Sequence, residues 1–164
     1  MSLFIENYTK QNELEFDDST ELETYLEENE GDEIGVSLCQ TIAINSLEEA
    51  IIYLDIDEDK KDLIKIASEC GGYSYFKTIE EALSYVDREV IYDFIGGATS
   101  AYRVAEELDT NIMYDDILLR ILGCSSEAYA ELGRFVTRDD IAHILDVEYN
   151  TVYTDNGAYI IIAQ

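Results

Sequence analysis

TRDDIAHILDVEYNTVYTDNGAYIII, residues 137–162, is the stretch that decides how the C-terminal part of the chain folds. Two structures compete for it. Residues 137–153 have the apolar spacing of a bacterial helix-turn-helix, with Ile141 and Leu145 near positions that such a motif fills. The second helix of that motif would begin near Glu148 and enter the major groove of DNA. The first interpretation is therefore a DNA-binding motif.

The residues after Glu148 argue against that motif. A recognition helix would break at Asp155-Asn156-Gly157 after barely one turn, and it would carry no Lys or Arg to hold phosphates. TVYTDNGAYIII (151–162) is better explained as two strands with Asn156-Gly157 at the hairpin turn between them. We therefore expect a helix that begins at Thr137 and packs against a C-terminal β-hairpin.

The charge of the chain is far from the ordinary balance. Its 164 residues include 37 Asp and Glu against 10 Lys and Arg, a formal net charge of −27. The charge is spread along the chain, with −11 in residues 1–45, −8 in residues 46–95 and −8 in residues 96–164. A disordered acidic tail would concentrate the charge at one end, and the 47% apolar content is normal for a globular protein. The sequence therefore predicts a folded polyanion.

This charge bears directly on the class of partner. Proteins that bind nucleic acid neutralise phosphates with Lys and Arg, so a surface dominated by carboxylates should be repelled by nucleic acid. The same field attracts basic surfaces. Duplex DNA carries one charge per roughly 1.7 Å, so a net charge of −27 equals that of about 46 Å of duplex, or about 13 base pairs. We expect no nucleic-acid ligand and a basic partner.

Periodic apolar residues and turn signals predict the remaining elements. Capping boxes at Ser46 with Glu49 and at Thr78 with Glu81 mark two helix starts. Predicted strands cover residues 2–8, 34–44 and 88–94, and predicted helices cover residues 18–30, 47–54, 63–70, 79–86, 101–108, 112–122 and 125–132. The expected fold is α/β of the α+β type, with two to three small packed subdomains: an acidic α/β part at 1–45, a mostly helical part at 46–95 and an α/β part at 96–164.

Three patterns resemble chemical motifs, and each has a simpler explanation. The only histidine, His143, cannot form a catalytic triad or a zinc site without partners at the right spacing. DIDEDKKD (55–62) begins like an EF-hand but lacks its glycine and its bidentate glutamate, so a helix start explains it better. FIGGATSAY (94–102) lacks a Walker lysine and the G-x-G-x-x-G spacing of a phosphate-binding turn. We expect no catalytic residue, no metal and no cofactor.

The N-terminus and the cysteines point to a reducing compartment. Residues 1–16 contain no basic segment followed by a long apolar run, and no stretch approaches the roughly 18 apolar residues of a membrane helix. We expect a cytoplasmic protein that does not contact a membrane. Cys39, Cys70 and Cys124 are odd in number, widely separated and never in a C-x-x-C pair, so reduced core thiols are expected.

The acids of the predicted helices should point outward, because the apolar stripe of each helix faces inward. Neighbouring carboxylates without basic partners repel one another by a few tenths of a kcal/mol per pair. Surfaces made only for solubility intersperse both signs, so this repulsion indicates that the field itself is useful. The carboxylates expected to form a distributed binding surface are Glu80, Glu81, Asp87, Glu106, Glu107, Asp109, Asp115, Asp116, Asp139 and Asp140.

The order of segments carries a resemblance to a known family. A short N-terminal strand with Ile5 and Asn7 precedes an acidic helix, and the later segments are FKTIEEAL (76–83), REVIYDF (88–94), SAYRVAEEL (100–108) and FVTRDDIAHILDVEYNTVYTDNGAYIII (135–162). This layout resembles the ArdA antirestriction family, acidic proteins of phages and mobile elements. The resemblance covers most of the chain after about residue 46, and the chain departs from the family in having no Trp and no Pro.

The resemblance implies an elongated protein of three small α/β subdomains that forms a homodimer through the C-terminal one. It also implies that carboxylates imitate the phosphates of bent duplex DNA and occupy the DNA groove of a type I restriction-modification complex, on its methyltransferase and specificity subunits. No catalysis or cofactor would be involved, and the site of action would be the bacterial cytoplasm.

Other classes of function remain open at this point. The protein could imitate DNA against another defence nuclease such as a CRISPR effector, or act as an acidic adaptor for a basic nucleoid protein. A third alternative is an acidic enzyme, which would require a convergent catalytic cluster in a concave pocket.

Overall fold

The computed structural model describes residues 2–37, 44–71 and 76–163, which form eight α-helices and six strands in two antiparallel sheets. The expected α+β class is confirmed. Contacts divide the chain into two compact units, residues 1–88 and 89–164, called here unit 1 and unit 2.

Unit 1 begins with a small antiparallel sheet of strands β1 (Leu3–Asn7), β2 (Asn12–Phe16) and β3 (Ile34–Val36), in the order β2-β1-β3. The strands predicted at residues 2–8 and within 34–44 are present, although residues 38–43 of the second stretch lie outside the described part. The sequence did not predict β2. Its acids Glu13 and Glu15 are exposed, so only Leu14 and Phe16 are apolar in this strand. Two apolar residues among acids do not stand out as the alternating pattern of a strand, although that alternation places Phe16 on the buried face.

Four helices complete unit 1: α1 (Ser19–Glu28), α2 (Leu47–Asp55), α3 (Glu58–Gly71) and α4 (Ile79–Glu89). Asp18 and Ser46 cap the first two by accepting the backbone N–H of the third residue of the helix, Glu21 and Glu49 respectively. The carboxylate of Glu49 does not return to its own helix start as a capping box requires. It accepts the backbone N–H of Ile79 at 3.0 Å, so it joins α2 to the first turn of α4.

The buried face of the first sheet packs against α1. Leu3, Ile5 and Asn7 alternate inward along β1, and all three are buried. The side-chain amide of Asn7 donates to the hydroxyl of Tyr25 on α1 and to Asp32, each at 2.9 Å. A buried amide needs such partners, because an unpaired polar group costs free energy in the interior.

Unit 2 is built on a second antiparallel sheet of β4 (Ile91–Gly96), β5 (Asn150–Tyr153) and β6 (Gly157–Ala163), in the order β4-β6-β5. Its helices are α5 (Ala101–Thr110), α6 (Asp115–Leu122), α7 (Ser126–Leu132) and α8 (Arg138–Glu148). Short 3-10 turns at Ile112–Tyr114 and Gly133–Phe135 precede α6 and α8.

The C-terminal hairpin predicted from the sequence is confirmed. Helix α8 is capped by Thr137, β5 and β6 follow it, and no helix covers residues 149–156. The core of unit 2 joins Ile141 and Leu145 of α8 to Ile95 and Ile160 of the sheet. The stretch that resembles a helix-turn-helix is therefore one helix packed against a hairpin.

Strand β4 belongs with the C-terminal sheet. It pairs along its length with β6, from Ile91 opposite Ala163 to Gly96 opposite Gly157. The sequence-based division places this strand in the part spanning residues 46–95, whereas the contacts place it in unit 2. The division into three subdomains stays a prediction.

No helix in residues 2–37, 44–71 and 76–163 is long and apolar enough to cross a membrane. Cys70 and Cys124 are free thiols, but both are half-buried and not part of the fully buried core. Cys39 lies outside the described residues.

Candidate acidic interaction surface

The ten carboxylates singled out from the sequence fall on both units. Those on α4 are Glu80, Glu81 and Asp87, and the other seven belong to α5, α6 and α8. All are exposed except Glu106 and Glu107, which are half-buried. Their side chains differ in what they contact, and this difference separates carboxylates that pair or cap a helix from those that contact no other described side chain through a hydrogen bond or ion pair.

Two of the ten carboxylates, Glu106 and Asp109, belong to an ion-pair cluster. Arg138 at the start of α8 donates from Nε to Asp109 at 2.9 Å and from Nη1 to Glu106 at 3.3 Å. Arg103 donates to the other oxygen of Glu106 at 2.7 Å. The hydrogen bond to Asp109 raises the pKa of the Arg138 guanidinium. Two carboxylates and two guanidinium groups balance here, so this cluster joins α5 to α8 and adds no net charge.

Two more of the ten cap helices. Asp140 accepts the backbone N–H of Thr137 at 2.8 Å, and Thr137 in turn accepts the N–H of Asp140, a complete capping box. The backbone hydrogen bond lowers the pKa of Asp140 below its ordinary value. Glu81 accepts the backbone N–H of Lys77 at 2.9 Å. The predicted capping box would have used the N–H of the next residue, Thr78. Both carboxylates stay exposed while they fix a helix start.

The remaining six side chains make no ion pair or hydrogen bond with any residue that the structure describes. On α4, Glu80 and Asp87 lie seven residues apart and therefore on the same face of the helix. Asp115 and Asp116 occupy the first turn of α6, where the helix dipole favours negative charge. The set of six is called here the unpaired carboxylates: Glu80, Asp87, Glu107, Asp115, Asp116 and Asp139.

A further acidic surface was not identified from the sequence. On the outer face of the first sheet, Glu6 of β1 lies directly opposite Glu13 of β2, and Glu15 lies two residues further along the same face. The ring of Tyr8 lies against Gly35 on this face, about 3.0 Å from where a Cβ would be. The alternation N-E-L-E-F could have indicated this face, because acids at every second position of a strand share one side.

The basic residues are too few to offset this field, and at least five of the ten are paired with carboxylates of the described part. Lys10, the only base in residues 1–45, lies 3.7 Å from Asp32 and donates to Asn29. Lys61 is buried against Glu58 at 3.1 Å and over the ring of Tyr53. Burial raises the pKa of that Tyr53 hydroxyl to about 12.

The basic residues of unit 2 also contact other side chains of the fold. Besides the two arginines of the ion-pair cluster, Arg120 is paired with Asp93 of β4, and Arg134 lies over the ring of Phe135 at 4.8 Å. Residues 1–88 contain 23 acids and 6 bases, and residues 89–164 contain 14 and 4, so the net charges are −17 and −10. Both units are polyanions in their own right.

The stretches that only resemble chemical motifs have structural roles. The backbone N–H of Gly97, in the glycine turn of residues 94–102, donates to the carbonyl of Asn156 at 2.9 Å, so the turn holds the hairpin. Asp55 of the EF-hand-like stretch accepts from the hydroxyl of Ser19 on α1. No group of three His, Cys, Asp or Glu in the described ranges is arranged to hold a metal ion. His143 is exposed on α8.

Fold and surface together define an α+β protein with two small antiparallel sheets and an acidic surface on each unit. What such a surface can do chemically is attract and hold a cationic surface. Comparison with protein-family models, curated proteins and solved structures found no match.

Proposed function

We propose that this protein is a non-enzymatic inhibitor whose carboxylates take the place of the phosphates of duplex DNA. Its target in this proposal is the DNA groove of a type I restriction-modification complex, formed by its methyltransferase and specificity subunits. The observation that carries the proposal is the unequal pairing of the two signs: at least five of the ten basic side chains pair with carboxylates, while the unpaired carboxylates and, on the outer face of the first sheet, Glu13 and Glu15 have no basic partner among the described residues.

The physical basis is electrostatic. A channel lined by Lys and Arg releases condensed counterions when it binds a polyanion, and it gains the same interaction from carboxylates as from phosphates. Holding like charges together on a folded surface costs free energy before binding, because neighbouring acids repel. A basic partner relieves that repulsion, so the cost incurred on folding is recovered on binding.

Several finer points belong to the same proposal. The site of action is the cytoplasm of a bacterial host, and a homodimer through residues 96–164 is implied by the resemblance to ArdA proteins. The ten predicted carboxylates do not contribute equally in our proposal. The unpaired carboxylates supply the field, whereas Glu106 and Asp109 hold α5 to α8 through the arginine pairs.

Competition with DNA tests this proposal. The protein should displace a labelled duplex from a type I methyltransferase complex, and displacement should weaken steeply as NaCl rises from roughly 0.05 to 0.5 M, because screening acts on both charged surfaces. Failure to compete at low salt, or competition that does not change with salt, would contradict the proposal. Pull-down from a bacterial lysate then separates restriction or CRISPR subunits from nucleoid proteins as the partner.

A pair of matched variants identifies the charges responsible. Neutralising four unpaired carboxylates of unit 2 together, as E107Q, D115N, D116N and D139N, should weaken competition about tenfold or more, because each charge at an interface contributes a few tenths of a kcal/mol. The control exchanges the same four acids for the other acid, as E107D, D115E, D116E and D139E, and should compete like the parent protein. Equal competition by both variants would remove these residues from the site.

A further inference from the structure

The outer face of the first sheet carries aromatic rings beside its carboxylates. Phe4 and Glu6 alternate with the buried residues of β1 and therefore point away from α1. The antiparallel register places Glu15 of β2 opposite Phe4 and Glu13 opposite Glu6. Side chains that are directly opposite one another have Cβ atoms about 4.5–5.5 Å apart. Three carboxylates and the ring of Phe4 therefore share one small area of this face.

Tyr8, the residue after β1, adds a second ring to this face. Its N–H donates to the carbonyl of Glu33 at 2.8 Å, which extends the pairing of β1 with β3. Cε2 and Oη of Tyr8 lie 3.0 and 3.1 Å from where a Cβ of Gly35 would be, and Gly35 lies opposite Glu6. Neighbouring strands are about 4.8 Å apart, so a cation held by Glu6 can lie within the roughly 6 Å of a cation–π contact with the Tyr8 ring. Tyr8 is 47% exposed, so its ring is accessible to such a group.

No base in the described part of the chain forms an ion pair on this face. Lys10, the only base in residues 1–45, lies 3.7 Å from Asp32. Asp32 in turn accepts from the side-chain amide of Asn7, which lies on the buried face of β1. Lys10 is therefore turned toward the opposite side of the sheet. The outer face keeps three negative charges close together, and a cationic partner would relieve their repulsion.

We propose that this face is the docking site for an arginine-containing segment of a partner protein. It is called here the first-sheet face and comprises Phe4, Glu6, Tyr8, Glu13 and Glu15. A guanidinium group stacks on the ring of Tyr8 and donates hydrogen bonds to Glu6 and Glu13, so one side chain relieves the repulsion of that pair. Phe4 and Glu15 offer a second ring and carboxylate to the next cation of the segment. The inference rests on the basic partner of the proposed function and names the side chain that this partner presents.

Arginine fits the first-sheet face better than lysine does. Its guanidinium group is planar and weakly hydrated, and it can stack on a ring while its donors form a fork to carboxylates. A lysine ammonium is compact and strongly hydrated, so it gains the charge attraction but little from the ring. A field of carboxylates alone attracts both cations through charge. Preference for arginine is therefore the property that separates this docking site from the general acidic surface.

Two synthetic peptides of equal charge test this proposal on the full chain. Each has about ten residues of Gly and Ser with about four cations at the same positions, Arg in one peptide and Lys in the other. Binding is measured by fluorescence anisotropy at about 0.15 M NaCl. The arginine peptide should bind about two- to fivefold more tightly, because one exposed cation–π contact has an effect of this size. Equal affinities would overturn the proposal, because charge alone would then account for binding.

Three variants locate the contact. Y8L removes the ring and should bring the affinities of the two peptides within about 1.5-fold of each other, while the lysine peptide binds within about twofold of its affinity for the parent protein. Y8F keeps the ring and should keep the preference for arginine. Y102L makes the same change as Y8L at a tyrosine of α5 that is 49% exposed, and it should also keep the preference. A preference that survives Y8L, or that Y102L removes equally, would overturn the proposal.

A second copy of the chain is the alternative occupant of the first-sheet face. A parent dimer that Y8L converts to a monomer would overturn the proposal, because the face would then join two copies. Peptide preference and DNA competition are separate measurements. Competition without a preference for arginine contradicts only this inference, whereas a preference for arginine without competition contradicts only the proposed function.

Discussion

Among single residues, Gly157 shows how one position serves two contacts. The sequence identifies it as the glycine of an Asn-Gly hairpin turn. The structure adds a second requirement from β4: a Cβ at this position would lie 2.3 Å from the backbone oxygen of Ile95 and 2.9 Å from the ring of Phe94. The residue also has a φ of +152°, which side chains rarely adopt. Close approach of two strands thus restricts this position to glycine as much as the turn does.

Replacing Gly157 should therefore cost more than replacing a glycine that only needs an unusual φ. G157A should lower the free energy of unfolding by roughly 2–5 kcal/mol, because backbone strain and the clash with β4 add together. Gly123 has a φ of +64° and no atom within 4 Å of a built Cβ, so G123A should cost only about 1–2 kcal/mol. Urea denaturation of both variants measures the difference. Equal losses would show that β4 does not restrict this position.

Among the secondary-structure elements, β2 is the one in which charge and stability conflict most directly. Its Glu13 lies opposite Glu6 on the neighbouring strand, and like charges at directly opposed positions destabilise a sheet. The hydrophobic side of the same strand ends in Phe16, whose ring packs against Tyr25 of α1 at 5.4 Å. Packing on one face therefore holds carboxylates together on the other.

Neutralising one member of that pair should stabilise the protein. E13Q removes the cross-strand repulsion with Glu6 and should raise the free energy of unfolding by up to about 0.5 kcal/mol. E30Q makes the same chemical change at an exposed turn residue with no acid opposite it in the sheet, and its effect should be smaller. Thermal denaturation of both variants at low ionic strength measures the difference. A destabilised E13Q would contradict the repulsion argument.

In the molecule as a whole, the dominant quantity is the net charge of −27. Each unit carries its own excess, −17 in residues 1–88 and −10 in residues 89–164. Self-repulsion of this kind opposes the compact state, and screening by salt reduces it. The proposed function depends on this same quantity, because a field shared by many carboxylates makes each single substitution a small loss.

Salt should therefore stabilise the fold while it weakens the proposed inhibition. Raising NaCl from about 0.01 to 0.15 M should increase the melting temperature by roughly 2–6 °C, because the Debye length falls from about 30 to about 8 Å. Most of the increase should occur in this range, whereas a general salting-out effect would grow steadily at higher concentrations. A melting temperature that falls or stays constant below about 0.15 M would contradict this account.

Local patterns in the chain determined a large part of the architecture. Caps and apolar spacing predicted the helices from Ser46, Thr78 and Thr137, and apolar spacing alone predicted the helix at residues 101–108, because these signals depend on neighbours within one or two turns. The C-terminal hairpin followed from Asn156-Gly157 for the same reason. Net charge is additive over residues, so the amino-acid sequence alone determines it.

What each carboxylate does depended on tertiary packing. Glu106 and Arg138 are 32 residues apart in the chain, so no local pattern indicates that they pair and remove one charge from the surface. Glu6 and Glu13 belong to the acidic surface because β1 and β2 are adjacent in one register, which apolar contacts with α1 select. Composition therefore determined how much charge the protein carries. Long-range pairing of helices and strands decided which of those charges remain directed to solvent, because only folding brings distant residues within hydrogen-bonding distance.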